Sequence, residues 1–325
     1  MKHFLAVVLL TFAISMPARA ETTTSEVTIL STMVASYLGA GEWGFAAVIE
    51  TPETRILFDT GFKPGTVLGN ATRLQEDLSD IETVILTHFH TDHTGGLVAL
   101  RRHYRDINPN ALSQVYVGKG FFEQRHNRDG DRAWSLPNPF SDAIYQTPAA
   151  FRAAAEAEGI RFTVIDEPTE LAPGVFLSGP IPRVHPEKNV SPNFQLMRNG
   201  ELTLDTIPES QVLGILTAEG WQLVSGCGHA GIVNAATYLQ TIRDVPVVMA
   251  IGGFHLFRAS EETIGWTAYE LEKVGLTSLV GAHCTGVDAT YRLAELLGLP
   301  EQNRSIGAVG TRIDQTLRIR RASIE

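Results

Sequence analysis

The sequence predicts an α/β fold of two sheets packed face to face with helices outside. Three observations predict it. Helical stretches alternate with short, continuously apolar strands of the kind buried on both faces. The chain runs twice through one order of parts: strand hairpin, cluster of potential ligands, helix. No Pro/Gly/Ser-rich linker divides the chain, so residues 21–325 are expected to form a single domain.

Residues 1–20 come before that domain. They have a basic start at Lys2, an apolar run over 4–14 and an exit at Ala18-Arg19-Ala20, which together read as a cleaved secretory signal. The run is too short to span a bilayer comfortably. A soluble, exported chain is expected, periplasmic in a bacterial cell. Residues 27–34 then read as a strand, and 45–50 with 55–59 as a hairpin turning at Thr-Pro-Glu-Thr. A short helix is expected over 72–78, a buried strand over 83–87, and a helix over 94–105 with Leu97, Leu100 and Tyr104 on one face. A strand over 114–117 follows.

The pattern breaks over 118–147, which is rich in turn residues and carries Trp134, Phe140 and Tyr145. A long irregular segment with aromatics suggests a lid or pocket wall; the alternative is a surface excursion that packs its own aromatics. The helical reading resumes over 148–159, with strands over 161–165 and 175–178. The second hairpin is 212–218 with 221–225, turning at Glu219-Gly220. Helices over 232–242, 261–274 and 289–297 alternate with buried strands over 246–251 and 278–282. Residues 318–321 close the chain as a basic strand end.

The formal net charge is −10, and −12 without Lys2 and Arg19. An acidic surface argues against nucleic acid or anionic membrane as partner, and leaves a small-molecule substrate. Two cysteines, Cys227 and Cys284, do not make a disulfide scaffold in a chain this long. Composition leaves the oligomeric state open.

The chemistry concentrates in VILTHFHTDHTGG, residues 84–96. His88 and His90 are two apart, so in an extended segment both imidazoles point to one side and reach one cation. Asp92 and His93 stand where the loop enters the next helix and can turn to a second. Gly95 and Gly96 let the backbone turn tightly beneath them. Imidazole and carboxylate suit zinc first, and also manganese or iron.

THFHTDHTGG resembles the His-x-His-x-Asp-His motif of the metallo-β-lactamase superfamily, and LFDTG (57–61) resembles its first strand end. SGCGHAGIVN (225–234), IGGFHL (251–256) and AHCTG (282–286) resemble the branch related to dihydropterin ribofuranosyl-aminobenzene phosphate synthases. The resemblance implies a four-layer αβ/βα sandwich with two divalent cations at one edge. It implies that His88 and His90 bind the first cation, that Asp92, His93 and His283 bind the second, and that Asp59 orients the site. The superfamily's third histidine on the first cation has no matching loop: His185 lies in the right region with the wrong surroundings, and His229 in CGHAG is the better candidate. Cys227 stands where the superfamily has a bridging aspartate. It reads as a metal ligand, a small buried residue, or half of a disulfide with Cys284.

Such a centre generates hydroxide, because bound zinc lowers the pKa of water to about 7. The expected reaction is attack on an ester, lactone or phosphoester. Asp92 and His255 are the catalytic candidates, His255 as proton donor or as a contact for an anionic substrate group. Arg183 is a second substrate-binding candidate, since its planar fork matches carboxylate and phosphate, with a plain surface arginine as the equal alternative. No Gly-x-Ser-x-Gly elbow offers a serine mechanism. An exported metal-dependent hydrolase is therefore expected. The alternatives are synthase-like group transfer on a pterin or phosphoribosyl-type compound, and metal-dependent ligand binding without turnover. His3, His103 and His126 have no supporting context.

Overall fold

The computed structural model describes residues 22–37, 39–127, 147–187, 189–198 and 200–323. Residues 1–20, read above as a secretory signal, and the aromatics Trp134, Phe140 and Tyr145 lie outside the described residues. The first half runs β1 (Glu26–Ser31), β2 (Ala46–Glu50), β3 (Arg55–Phe58), α1 (Thr66–Leu74), β4 (Thr83–Leu86), α2 (Thr91–Thr94), α3 (Leu97–Arg105), β5 (Gln114–Gly118), β6 (Arg125–Asn127), α4 (Pro148–Ala157) and β7 (Arg161–Ile165). The second half runs β8 (Thr169–Ala172), β9 (Val175–Leu177), β10 (Phe194–Arg198), β11 (Glu201–Leu204), β12 (Val212–Leu216), β13 (Trp221–Ser225), α5 (Ile232–Ile242), β14 (Val247–Gly252), α6 (Glu261–Lys273), β15 (Ser278–Gly281), α7 (Val287–Leu296), β16 (Arg304–Ser305), β17 (Arg312–Ile313) and β18 (Ile319–Arg320).

One sheet has the order β18-β17-β1-β2-β3-β4-β5-β7 and the other β16-β15-β14-β13-β12-β9-β8. Side chains alternate across each strand, and in the central strands both faces are buried. In β3, Ile56 and Phe58 face the opposite sheet while Leu57 faces the helices; in β13, Val224 faces inward and Leu223 outward. Ile29, Ile49, Phe58 and Ile85 thereby meet Leu213, Val224, Ile251 and Val280 between the sheets. Residues of α1, α3 and α4 cover the outer face of the first sheet, and those of α5, α6 and α7 the outer face of the second. The result is the expected αβ/βα sandwich. Each large apolar side chain buried here contributes roughly 1.5–3 kcal/mol.

The parallel runs place the site. β3, β4, β5 and β7 are mutually parallel, as are β13, β14 and β15. Their carboxyl ends deliver Asp59, residues 87–93, 226–229, 253–258 and 282–286 to one edge, the position where open α/β sheets bind ligands.

The structure departs from the sequence reading at three points. The first helix covers Thr66–Leu74, because Gln75 adopts the left-handed region (φ 57°) and ends it while Val67 and Ala71 are buried. A small third sheet, β11-β10-β6, was not expected: β11 is exposed throughout and so lacks an apolar alternation, although Asn199-Gly200 is a hairpin signal. Gly95 and Gly96 have ordinary helical φ values of −64° and −87°. They are glycines because a Cβ would strike the carbonyls of Phe62 and Thr60, not because the turn needs positive φ. Among the described residues no helix is long and apolar enough to cross a membrane.

Candidate metal centre

His88 leaves β4 with its Nδ1 3.0 Å from Thr87 Oγ1. That hydroxyl donates to Asp59 Oδ2 at 2.8 Å, so it accepts from His88 Nδ1–H and the lone pair of His88 is left on Nε2. His93 Nδ1 lies 2.7 Å from the same Asp59 oxygen, which likewise leaves its lone pair on Nε2. Asp59 is fully buried and also takes the Thr87 backbone N–H at 2.8 Å. One carboxylate thus sets the ring orientation of two imidazoles, directly and through a hydroxyl. His229 Nδ1 donates to the Asn189 carbonyl at 2.6 Å, so its Nε2 is free in the same way.

Elements distant in sequence bring these rings together. Ring centroids are 4.5 Å apart for His88–His90, 4.6 Å for His88–His229, 4.9 Å for His90–His229 and 5.0 Å for His93–His283. Among the described residues four groups of three have ligand atoms mutually within 4.8 Å, two of them without a cysteine, His88, His90, His229 and Asp92, His93, His283, and one formed by Cys227, His255 and Cys284. Asp92 Oδ2 lies 3.3 Å from His283 Nε2. Cys227 Sγ also falls within 4.8 Å of ligand atoms of both His88 and His93.

The donor set fits divalent cations. His88 Nε2, His93 Nε2, His229 Nε2 and Asp92 Oδ1 are buried without a hydrogen-bond partner. Burying four such atoms costs on the order of 1–3 kcal/mol each, a cost that coordination removes. Burial and the neighbouring imidazoles hold His88 and His229 well below the usual histidine range, and His90 is lowered to about 4 by burial. These rings are therefore neutral, the form that binds metal. Burial opposes charge on Asp92, but His93, His283 and His90 around it hold it well below the usual carboxylate range.

Backbone strain concentrates here. Of the seven non-glycine residues with positive φ among the described residues, Asp59, His255 and His283 belong to this edge. Such conformations persist only where surroundings over-determine them.

The centre opens on a cavity of about 520 Å³ whose lining includes Trp43, His90, Asp92, Asp205, Cys227, His229, His255, Phe257 and Arg258. A second cavity of about 780 Å³ shares His255, Phe257 and Arg258. His255 lies 4.6 Å from His229 by ring centroid, with Nδ1 3.3 Å from Cys227 Sγ. Trp43 packs edge-on against His283 and Phe257.

Arg183 is not among the lining residues. It is exposed and donates to the Thr206 carbonyl, so the cation at the pocket is Arg258 instead. His185 stands apart, its Nε2 3.2 Å from Thr237 Oγ1. Both cysteines are free thiols, which removes the disulfide reading for this state. Nothing in the sequence singles out Arg125, Asp205 and Glu209. Arg125 is buried, pairs with Glu209, and bonds Asp205 at 3.1 Å; Glu209 accepts the Phe89 N–H at 3.0 Å, between the two motif histidines. A pairing across some eighty residues leaves no spacing signal. Arg258, three residues past GGFH, is within reach of the motif.

The model of the metallo-β-lactamase superfamily matches residues 44–184. The chain is 31% identical over 247 residues to a 7,8-dihydropterin-6-methyl-4-(β-D-ribofuranosyl)-aminobenzene-5'-phosphate synthase of Methanocaldococcus jannaschii, covering 74% of this chain and 79% of that one. The solved structure of Tm1679, described as a metal-dependent hydrolase of the β-lactamase superfamily, superposes with a TM-score of 0.68 at 25% identity, over 89% of this chain and 98% of that one. The metallo-β-lactamase fold protein YhfI of Bacillus subtilis shares the fold at 12% identity and a TM-score of 0.52, over 89% and 98%.

Proposed function

Since this chain belongs to the metallo-β-lactamase superfamily, we propose that it is a metal-dependent hydrolase with a dinuclear centre, zinc being the first candidate, acting on an ester, lactone or phosphoester of a small molecule. The carrying observation is the pair of ligand triads whose unpartnered atoms face one another beside an open cavity. His88, His90 and His229 would hold one cation, and Asp92, His93 and His283 the other, with Cys227 within reach of both sets. Bound divalent cations supply Lewis-acid charge stabilisation and acidify water.

The chain's own groups do the rest. Asp59, Thr87 and the Asn189 carbonyl fix the ring nitrogens of His88, His93 and His229, so these three rings already present Nε2 for ligation. His255 keeps Nδ1 against Cys227 and leaves Nε2 for proton transfer to a leaving group. Trp43 and Phe257 form an apolar wall that excludes water, and Arg258 offers a cation to an anionic substrate group. Residues 1–20 are proposed to direct export, which N-terminal sequencing of the secreted protein tests.

The test is metal analysis of the purified protein with ester, lactone and phosphoester turnover before and after chelation. Stoichiometric metal with no turnover of any of them would defeat the hydrolase reading. The similarity to a protein named a synthase supports a second reading, group transfer on a pterin or phosphoribosyl-type compound. Product analysis with a dihydropterin and a phosphoribosyl donor separates the two. An intact substrate bound beside loaded cations would instead favour binding without turnover.

A further inference from the structure

We propose that Cys227 and Cys284 form an oxidisable dithiol that closes to a disulfide at the edge of the metal centre. Their Sγ atoms lie 3.0 Å apart. That is about 1 Å longer than a disulfide bond of about 2.05 Å. It is also shorter than the roughly 3.7 Å that separates two thiolates on one tetrahedral zinc. Bond formation therefore closes a gap of about 1 Å, whereas capture of a cation between the sulfurs would push them about 0.7 Å apart.

The fold is built for this approach. Cys227 follows β13 and Cys284 follows β15, two strands that flank β14. Neighbouring strands are about 4.8 Å apart, so the two chains meet only by passing over the end of β14. That end is Gly252-Gly253. A Cβ on Gly253 would stand 2.9 Å from Cys284 Sγ and strike the Gly226 carbonyl, and Gly252 has φ 111°. The glycine pair leaves the space in which the sulfurs touch. Cys227 lines the cavity, and Cys284 is buried behind it. An oxidant therefore reaches Cys227 first, and Cys284 resolves it.

A hydroperoxide supplies the chemistry. The Cys227 sulfur attacks the terminal peroxide oxygen, the O–O bond breaks, and the alcohol or water leaves while a sulfenic acid forms. The Cys284 sulfur then attacks Cys227, forming the S–S bond and releasing water. The sulfurs give up two electrons to the O–O bond, and both thiol protons end in the products. Because Cys284 adjoins His283 and Cys227 lies two residues before His229, the bond links the segments that carry a ligand of each triad.

The experiment uses the full reduced chain, as purified and after chelation, treated with a small excess of hydrogen peroxide and then alkylated in denaturant. The chain has only two cysteines, so the expected product takes up no alkyl group, is about 2 Da lighter than the reduced chain, and yields one peptide pair joined through Cys227 and Cys284. Dithiothreitol before alkylation restores two adducts. In Cys284→Ser, dimedone traps a sulfenic acid on Cys227. Two alkylatable thiols persisting in both preparations, sulfinic or sulfonic acids without a cross-link, or a bond only between separate chains would each overturn the proposal. The mass readout needs neither metal nor turnover, so it stands or falls apart from the hydrolase reading.

Discussion

Replacing Asp59 by Asn tests how the centre is organised. The carboxylate accepts three hydrogen bonds, from Thr87 N–H, Thr87 Oγ1 and His93 Nδ1. An amide of the same shape accepts at one atom and donates at the other. If its oxygen keeps the Thr87 N–H, its nitrogen faces His93 Nδ1 and Thr87 Oγ1. His93 must then accept at Nδ1, which moves its hydrogen to Nε2. Thr87 must accept from the amide and donate to His88 Nδ1, which moves the hydrogen of His88 to Nε2 as well. One substitution thus places a hydrogen on the unpartnered atom of one ligand in each triad. Loss of such an outer partner costs about 10- to 100-fold in metal affinity, or about 1.4–2.7 kcal/mol. Asn also tolerates the positive φ of 55° at this position, so the backbone is not the variable. The assay is titration of metal-free protein with zinc against a chromophoric chelator, with circular dichroism to show the fold intact. A folded Asp59→Asn chain that binds both cations within twofold of the native affinity would refute the argument.

Three further outcomes follow from the same geometry. His229→Ala and His283→Ala are each expected to lose one cation equivalent and keep the other, read by elemental analysis after dialysis; loss of both from either variant would contradict two separable triads. The metal-free protein is expected to weaken in acid. His90 is lowered to about 4 in the fold, so the unfolded chain takes up its proton first. The stability is present above the unfolded value of about 6.5 and is lost as pH falls toward 4, up to about 3 kcal/mol for this residue. Urea unfolding of metal-free protein at pH 7 and pH 4.5 measures it, and a flat profile would count against neutral buried imidazoles. Glu209→Gln leaves Arg125 buried without its nearest carboxylate, and about 3 kcal/mol of stability is expected to go with it; an unchanged denaturation midpoint would show that the pair does not secure the loop at Phe89.

The sequence by itself determined which residues are candidates for the chemistry and much of the layer order. Four ligand-type residues within six, at the end of an apolar strand, have no packing explanation, and period-two burial on both faces made β3, β4, β13 and β14 legible from their apolar runs. Local periodicity reports local structure, so it cannot report which distant groups meet. Only the tertiary structure decided that Arg258 rather than Arg183 lines the cavity, that Asp205 and His90 line it together, and that Arg125 is buried on Glu209. Only the tertiary structure set aside the disulfide reading of Cys227 for this state, leaving a thiol 3.0 Å from Cys284 and within reach of His88 and His93. The physical reason is the same in each case. Strand ends converge where parallel ladders set their register, and the energy of a buried charge or thiol depends on atoms supplied by other strands.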